Sequence, residues 1–177
     1  MELFWTRGYE ATGLRDLLDH MGIGRQSLYD TFGDKHNLFV EAVKHYNGRL
    51  TQGILEPLSR TGSPLENIRK TIANVGSWVS DGQCRGCLLT NTLVESAPHD
   101  HEIADAAKSM LSRLETAFRR TLKRAVEEGE LPAEANVRAL ARFLTSTIQG
   151  LVVMGKASAS RAVVKDIVDV ALSVFDQ

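Results

Sequence analysis

Apolar residues recur at steps of three and four along almost the whole chain, and no stretch keeps the strict alternation of a half-buried strand bounded by hairpin turns. The pattern predicts an all-α fold. Ser63-Pro64-Leu65-Glu66 is a capping box with proline at the first helical position, and Leu65, Ile68, Ile72, Val75 and Val79 follow on one face. A longer stripe passes through Ile103, Ala107, Met110, Leu114, Phe118, Leu122 and Ala125 until Gly129 and Pro132 break it, with Arg113, Arg119, Arg120, Lys123 and Arg124 largely off the stripe. Asn136 is placed to cap a helix carrying Val137, Leu140, Ala141, Leu144, Ile148, Leu151 and Val152. After a short loop at Ser158-Ala159-Ser160, a last helix puts Val164, Ile167, Val168, Ala171, Leu172 and Phe175 on one face. Val163, Val170 and Val174 widen that face beyond one core contact, which predicts a partner at the end of the chain.

Nearer the N-terminus the helices are shorter. Thr12 is positioned to cap a helix whose core face is Leu14, Leu17, Leu18 and Met21, and Gly22 supplies the left-handed residue that ends it. Ile23 is buried in the turn, and Gly24 opens a second short helix, Arg25 to Phe32, with Leu28 and Phe32 inward. Arg25, Gln26, Ser27, Tyr29 and Thr31 are left facing out. Asp34 caps a long helix that starts near Lys35 and runs toward Pro57.

Two short helices joined by a tight glycine-containing turn form a helix-turn-helix, whose second helix enters the major groove with its N-terminal residues against base edges. The side chains suit that task. Arg25 can contact guanine, Gln26 can read adenine, and Ser27 or Thr31 can reach bases or phosphates. Tyr29 and Lys35 more naturally take phosphates.

Composition tempers this picture. The formal net charge is −1, and residues 1–49 hold six Lys/Arg against seven Asp/Glu, so composition alone does not predict DNA binding. DNA binding then rests on where Arg15, Arg25 and Lys35 fall. With 177 residues, no run of about 18 uninterrupted apolar residues, and no charged region followed by an apolar one at the N-terminus, the chain is expected to be a cytoplasmic protein with no membrane partner.

Gly8-Tyr9-Glu10-Ala11-Thr12, Leu17, Gly22-Ile23-Gly24 and Ser27-Leu28-Tyr29-Asp30-Thr31-Phe32-Gly33-Asp34-Lys35 together resemble the head of TetR-family regulators. The resemblance implies a three-helix DNA-binding head and a larger C-terminal helical domain for ligand binding and dimerisation, placed here at residues 1–48 and 49–177. It also implies a homodimer, joined through the last two helices, that acts on a palindromic double-stranded operator under a small-molecule effector, most often as a repressor. Carried over position by position, Arg15, Arg25, Gln26, Ser27, Tyr29, Thr31 and Lys35 match the family's DNA-facing residues. Three features depart from the pattern. Family members usually carry further, often basic, residues before the first helix, whereas Met1 stands almost inside it, so that helix is expected to be shortened. Gly24 occupies a position where a serine or threonine cap is common, and Asp30 puts a negative charge near phosphates unless it pairs with an arginine.

Past residue 60 there is no nucleophile–base signature, phosphate loop or partnered carboxylate pair, so neither catalysis nor a cofactor is expected. Arg85-Gly86-Cys87-Leu88-Leu89-Thr90-Asn91-Thr92, followed by Glu95-Ser96-Ala97-Pro98, resembles a subset of TetR-like regulators. Asn91, Thr92 and Glu95 could orient a ligand, with Trp78, Met110, Phe118 and Phe143 as apolar walls. For those four large residues ordinary core packing is the competing reading. Cys84-x-x-Cys87 is ambiguous between two structural thiols and a redox pair, and even with His99 and His101 it is only half a zinc site. His99 and His101 also suit a solvated helix start. The small residues Gly150, Gly155 and Ala171 fit close packing between subunits. Two other readings remain: a thiol redox sensor or small helical enzyme using the cysteines, and a ligand-binding helical module without productive DNA contact.

Overall fold

A computed structural model describes residues 1–82, 84–95 and 101–176, with the backbone alone at residues 49–51. Its elements are α1 (Glu2–Arg7), α2 (Leu14–Met21), α3 (Arg25–Phe32), α4 (Lys35–Leu50), a π-helical turn (Thr51–Leu55), α5 (Glu56–Leu58), α6 (Pro64–Val79), α7 (Leu88–Glu95), α8 (His101–Glu127), α9 (Val137–Lys156) and α10 (Arg161–Ser173). No strand occurs among the described residues, as the helical periodicity required.

The chain divides into two compact units, one of Met1–Arg49 with Cys87–Lys108 and the other of Leu50–Gly86 with Ser109–Gln177. The first is organised around aromatic rings. Phe4, fully buried, meets Phe39 edge-on at 4.9 Å, Tyr9 lies 4.8 Å from Phe39, and Trp5 meets Tyr46 at 5.1 Å. Aromatic pairs of this geometry contribute about 0.5–1.5 kcal/mol beyond the area they bury. Leu17 from α2 and Leu28 from α3 are buried in the same unit.

Helix ends follow local chemistry, with one exception. Gly22 is left-handed (φ 65°, ψ 31°) and donates to the Leu18 carbonyl, closing α2 where predicted. Asp34 Oδ1 accepts from Asn37 N at 2.8 Å at the start of α4. At the start of α2, however, the N-cap is Gly13 and not Thr12. The buried Thr12 hydroxyl donates to the Gly8 carbonyl at 2.6 Å, and the Asp16 carboxylate reaches back to Gly13 N at 3.2 Å. Met21, expected in the core, is the last residue of α2 and is 37% exposed. The helix expected to run from Lys35 toward Pro57 is regular only to Leu50, where a π turn follows before α5.

In the second unit α6 packs against α5, α9 and α10, and α9 against α10. Ser63 Oγ accepts from Glu66 N at 3.1 Å, the first half of the predicted capping box, while the Glu66 carboxylate pairs with Lys70 at 3.3 Å. The Glu130 carboxylate accepts from Ser63 Oγ (2.9 Å) and Leu65 N (2.8 Å), placing negative charge at the N-terminus of α6. Asn136 Oδ1 caps α9 through Ala139 N at 3.0 Å. Glycines set two close helix approaches. A Cβ on Gly76 would stand 2.8 Å from Val168 Cγ2, and one on Gly155 would stand 2.6 Å from Val79 Cβ. Gly155 and the buried Ala171 are therefore used inside the unit and are not free for a second subunit, whereas Gly150 meets nothing within 4 Å.

An apolar surface remains on the last two helices: Phe143 (41% exposed), Val153 and Met154 on α9, and Val163 and Val170 (68% exposed) on α10. By length and composition alone α9 is apolar enough to cross a membrane, with mean hydropathy 1.2 over its best window. It nevertheless packs on α6 and α10 and includes Arg138, Arg142 and Lys156.

Candidate nucleic-acid interface

Within the first unit, α2, the turn at Gly22-Ile23-Gly24 and α3 form the helix-turn-helix. Leu28 anchors α3 with no exposure, which turns the opposite face outward. That face carries Arg25, Gln26, Ser27, Thr31 and Tyr29, all exposed, Tyr29 at 42%. Gly24 caps α3 in an extended conformation (φ −76°, ψ 158°) without a side-chain bond, as the missing hydroxyl at that position dictates.

The charges are distributed in a way composition does not reveal. Arg7 pairs with Asp16 at 3.2 Å, exposed Arg15 reaches Asp19 at 3.8 Å, and Lys44 bonds Glu41 at 2.7 Å, which holds its pKa above the ordinary lysine value. Arg25 has no ion pair or hydrogen-bond partner among the described residues. Lys35 is half-buried, with Nζ 4.3 Å from the centre of the Tyr9 ring, so its ammonium is positioned by an aromatic face and not by a carboxylate. Arg25 and Lys35 thus keep positive charge available while much of the rest of the unit's charge is paired internally.

Asp30 does not pair with an arginine. Its Oδ1 accepts from Gln26 Nε2 at 2.8 Å, one helical turn away. A carboxylate only accepts, so the bond fixes which end of the Gln26 amide faces Asp30 and leaves Oε1 directed elsewhere. The i, i+4 spacing carried this signal.

A second feature had no local signal. Glu95, at the end of α7, accepts from Glu10 N at 3.1 Å and Tyr9 N at 3.4 Å, in the turn between α1 and α2. Gly8 beside them is left-handed (φ 85°), and a Cβ there would stand 2.7 Å from Glu95 Oε2. Glu95 thus acts on the backbone of the head, although its position suggested a ligand pocket. Of the other pocket candidates, Asn91 is half-buried and Thr92 buried in this first unit. Trp78 is half-buried, Met110 and Phe118 are buried and Phe143 is exposed in the second. Cys84 is half-buried in the second unit and Cys87 buried in the first, and neither is in a disulfide among the described residues. No group of three metal-ligating side chains occurs among the described residues, and His99 and Ser96-Ala97-Pro98 lie outside them.

Comparison with known proteins decides the family. The profile for bacterial regulatory proteins, tetR family, matches residues 1–42, and that for the tetracyclin repressor-like C-terminal domain matches residues 64–170. The chain belongs to the TetR family. It is 40% identical to the uncharacterized HTH-type transcriptional regulator YezE of Bacillus subtilis, covering 99% of this chain and 92% of that one. It is 32% identical to the HTH-type transcriptional repressor ComR of Escherichia coli, over 90% and 77% of the two chains. Among solved structures it resembles a cysteine mutant of the TetR-family regulator CifR complexed with 26-base-pair double-strand operator DNA, with a TM-score of 0.86, 30% identity and coverage of 96% and 90%. TetR-family proteins are DNA-binding transcriptional regulators rather than enzymes, so the readings as an enzyme or as a module without DNA binding are not favoured.

Proposed function

We propose that this TetR-family regulator is a cytoplasmic homodimeric repressor that grips a palindromic operator with one α3 in each half-site and lets go when a small molecule binds its C-terminal part. The observation that carries the reading is the exposed row on α3, with Arg25 without an ionic partner among the described residues and Gln26 hydrogen-bonded to Asp30. Arg25, Gln26 and Ser27 lie at the N-terminal end of the recognition helix, where base edges are read. Thr31 stands further along the same helix, and Tyr29, Arg15 and Lys35 serve phosphates. The operator-bound CifR and the repressor ComR support the assignment of activity.

Residues 1–48 act as the head and 49–177 as the sensing and dimerising part. Exposed apolar residues on α9 and α10 support dimerisation through those helices, since such a patch is costly to leave in water. Phe143 belongs to that face in this reading. A ligand that alters the spacing of the two heads removes simultaneous engagement, and by reciprocity the operator weakens ligand binding equally. The test is selection of duplexes from a random pool followed by titration at several salt concentrations. A two-fold-symmetric site with steeply salt-dependent affinity is expected, and retention of only weak, sequence-independent binding would overturn the proposal.

A further inference from the structure

A cleft of about 560 Å³ opens in the second unit between the segment Leu55–Ser59 and the middle of α8, within the size range of small-molecule sites. Its lining divides by chemistry. Leu55, Leu58 and Ala117 give an apolar floor, Ser59, Ser112 and Thr116 line it with hydroxyls, and Arg113, Arg120 and Arg124 bring three guanidinium groups to one wall.

The floor is tied down by hydrogen bonds within the unit. The buried Thr121 hydroxyl shares its proton between the Leu58 and Ala117 carbonyls, both at 3.0 Å, tying the segment to α8. Arg124 donates to the carbonyls of Arg60 (3.1 Å) and Gly62 (3.2 Å) and pairs with Glu128 at 3.1 Å, so its guanidinium is held in place. Arg120 makes no ion pair or hydrogen bond among the described residues. In the neighbouring cleft between α8 and α9, by contrast, Arg142 already pairs with Glu115 at 3.2 Å. Glu128 is taken up by Arg124, so the Arg120 guanidinium is the charge on the first cleft's wall with no partner among the described residues.

We propose that this cleft binds a small amphiphilic anion, a carboxylate on a short apolar body, and that this molecule is the effector. The proposal rests on the regulator reading above for its effector role and on the cleft alone for binding. Guanidinium groups hold a planar carboxylate through paired hydrogen bonds, hydroxyls complete the donor set, and the leucines cover the apolar part. A duplex does not suit a concave site with an apolar floor. Leu55 also belongs to the π turn that continues directly from α4, so a ligand against it bears on the register in which α4 ends.

The test uses octanoate as probe, octanol and octylammonium as controls of equal length, and the full chain by calorimetry and operator titration. Saturable octanoate binding is expected, at least about tenfold tighter than either control, weakened at least about tenfold by Arg120→Ala and less by Arg120→Lys. Octanoate should also lower operator affinity in the wild type and not in Arg120→Ala, whose helical circular dichroism should match wild type. Equal binding of octanoate and octanol, or an unaffected Arg120→Ala, overturns the site. Octanoate binding without any change in operator affinity overturns the effector role, and weaker operator binding by unliganded Arg120→Ala assigns the arginine to DNA instead. Octanoate bound through Arg120 by a chain that binds no duplex contradicts the regulator reading and leaves the cleft assignment intact.

Discussion

Gln26 Nε2 lies 2.8 Å from Asp30 Oδ1 on the exposed face of the recognition helix. Asp30 looks like a poor residue there, because a carboxylate near phosphates repels them. Its contact with Gln26 shows what it can contribute in return. The second Nε2 hydrogen and Oε1 remain for a base, the donor and acceptor pair that matches adenine N7 and N6. Asp30→Ala is expected to raise affinity for arbitrary duplex by removing the charge and to reduce discrimination at the base pair read by Gln26, by about 1 kcal/mol or more. Titration against the operator and a single-base variant measures both. Undiminished discrimination would show that Asp30 does not orient Gln26.

Glu95 joins α7 to the head through backbone bonds from Tyr9 and Glu10. Glu95→Ala leaves both amides without their acceptor, and the expected cost is about 1–3 kcal/mol of stability in the head, with faster hydrogen exchange at those two amides. Glu95→Gln keeps one acceptor oxygen and should fall between. Wild-type exchange at Tyr9 and Glu10 in Glu95→Ala would rule the contact out as a support.

Gly155 is crowded by Val79 Cβ at 2.6 Å and the Val79 carbonyl oxygen at 2.9 Å from the position of an added Cβ. Helix propensity favours alanine over glycine, yet backbone oxygen cannot move aside without shifting α6. Gly155→Ala is therefore expected to lower stability by about 1–3 kcal/mol, read as a reduced unfolding midpoint. An increase would mean that α6 and α9 are not so closely packed.

The apolar face of α9 and α10 gives a prediction about assembly. Phe143→Glu with Val170→Lys replaces two exposed apolar side chains by charges without touching the buried Leu144 or Ala171. The double variant should be a folded monomer by light scattering and lose operator affinity, since each head alone engages one half-site. A dimer of unchanged affinity would place the subunit contact elsewhere.

Features decided within one turn of helix were legible beforehand. The caps at Ser63, Asn136 and Asp34 and the left-handed Gly22 need only neighbouring residues, and each stands where the pattern put it. The recognition-helix face was equally legible, because Leu28 alone sets its rotation. Where two local partners competed the reading failed. Thr12 can cap a helix, but its hydroxyl is buried against the Gly8 carbonyl, and Asp16 satisfies Gly13 instead. Contacts far apart in sequence left no local mark. Glu95 meets Glu10 across 85 residues, and nothing near position 155 announces Val79. The off-stripe arginines of α8 were visible as a pattern, but the cleft that gathers three of them depends on where Leu55–Ser59 packs.

The central claim is that a few α3 side chains, used once per subunit, give specific operator binding by a protein without net positive charge. Titration of the selected operator with wild type and Arg25→Ala tests it most directly. A base contact contributes about 1–3 kcal/mol, and two copies per dimer predict a loss of at least about 30-fold on the operator with little change on unrelated duplex. Equal affinity of the two proteins for the operator, or an equal loss on both duplexes, would contradict the account.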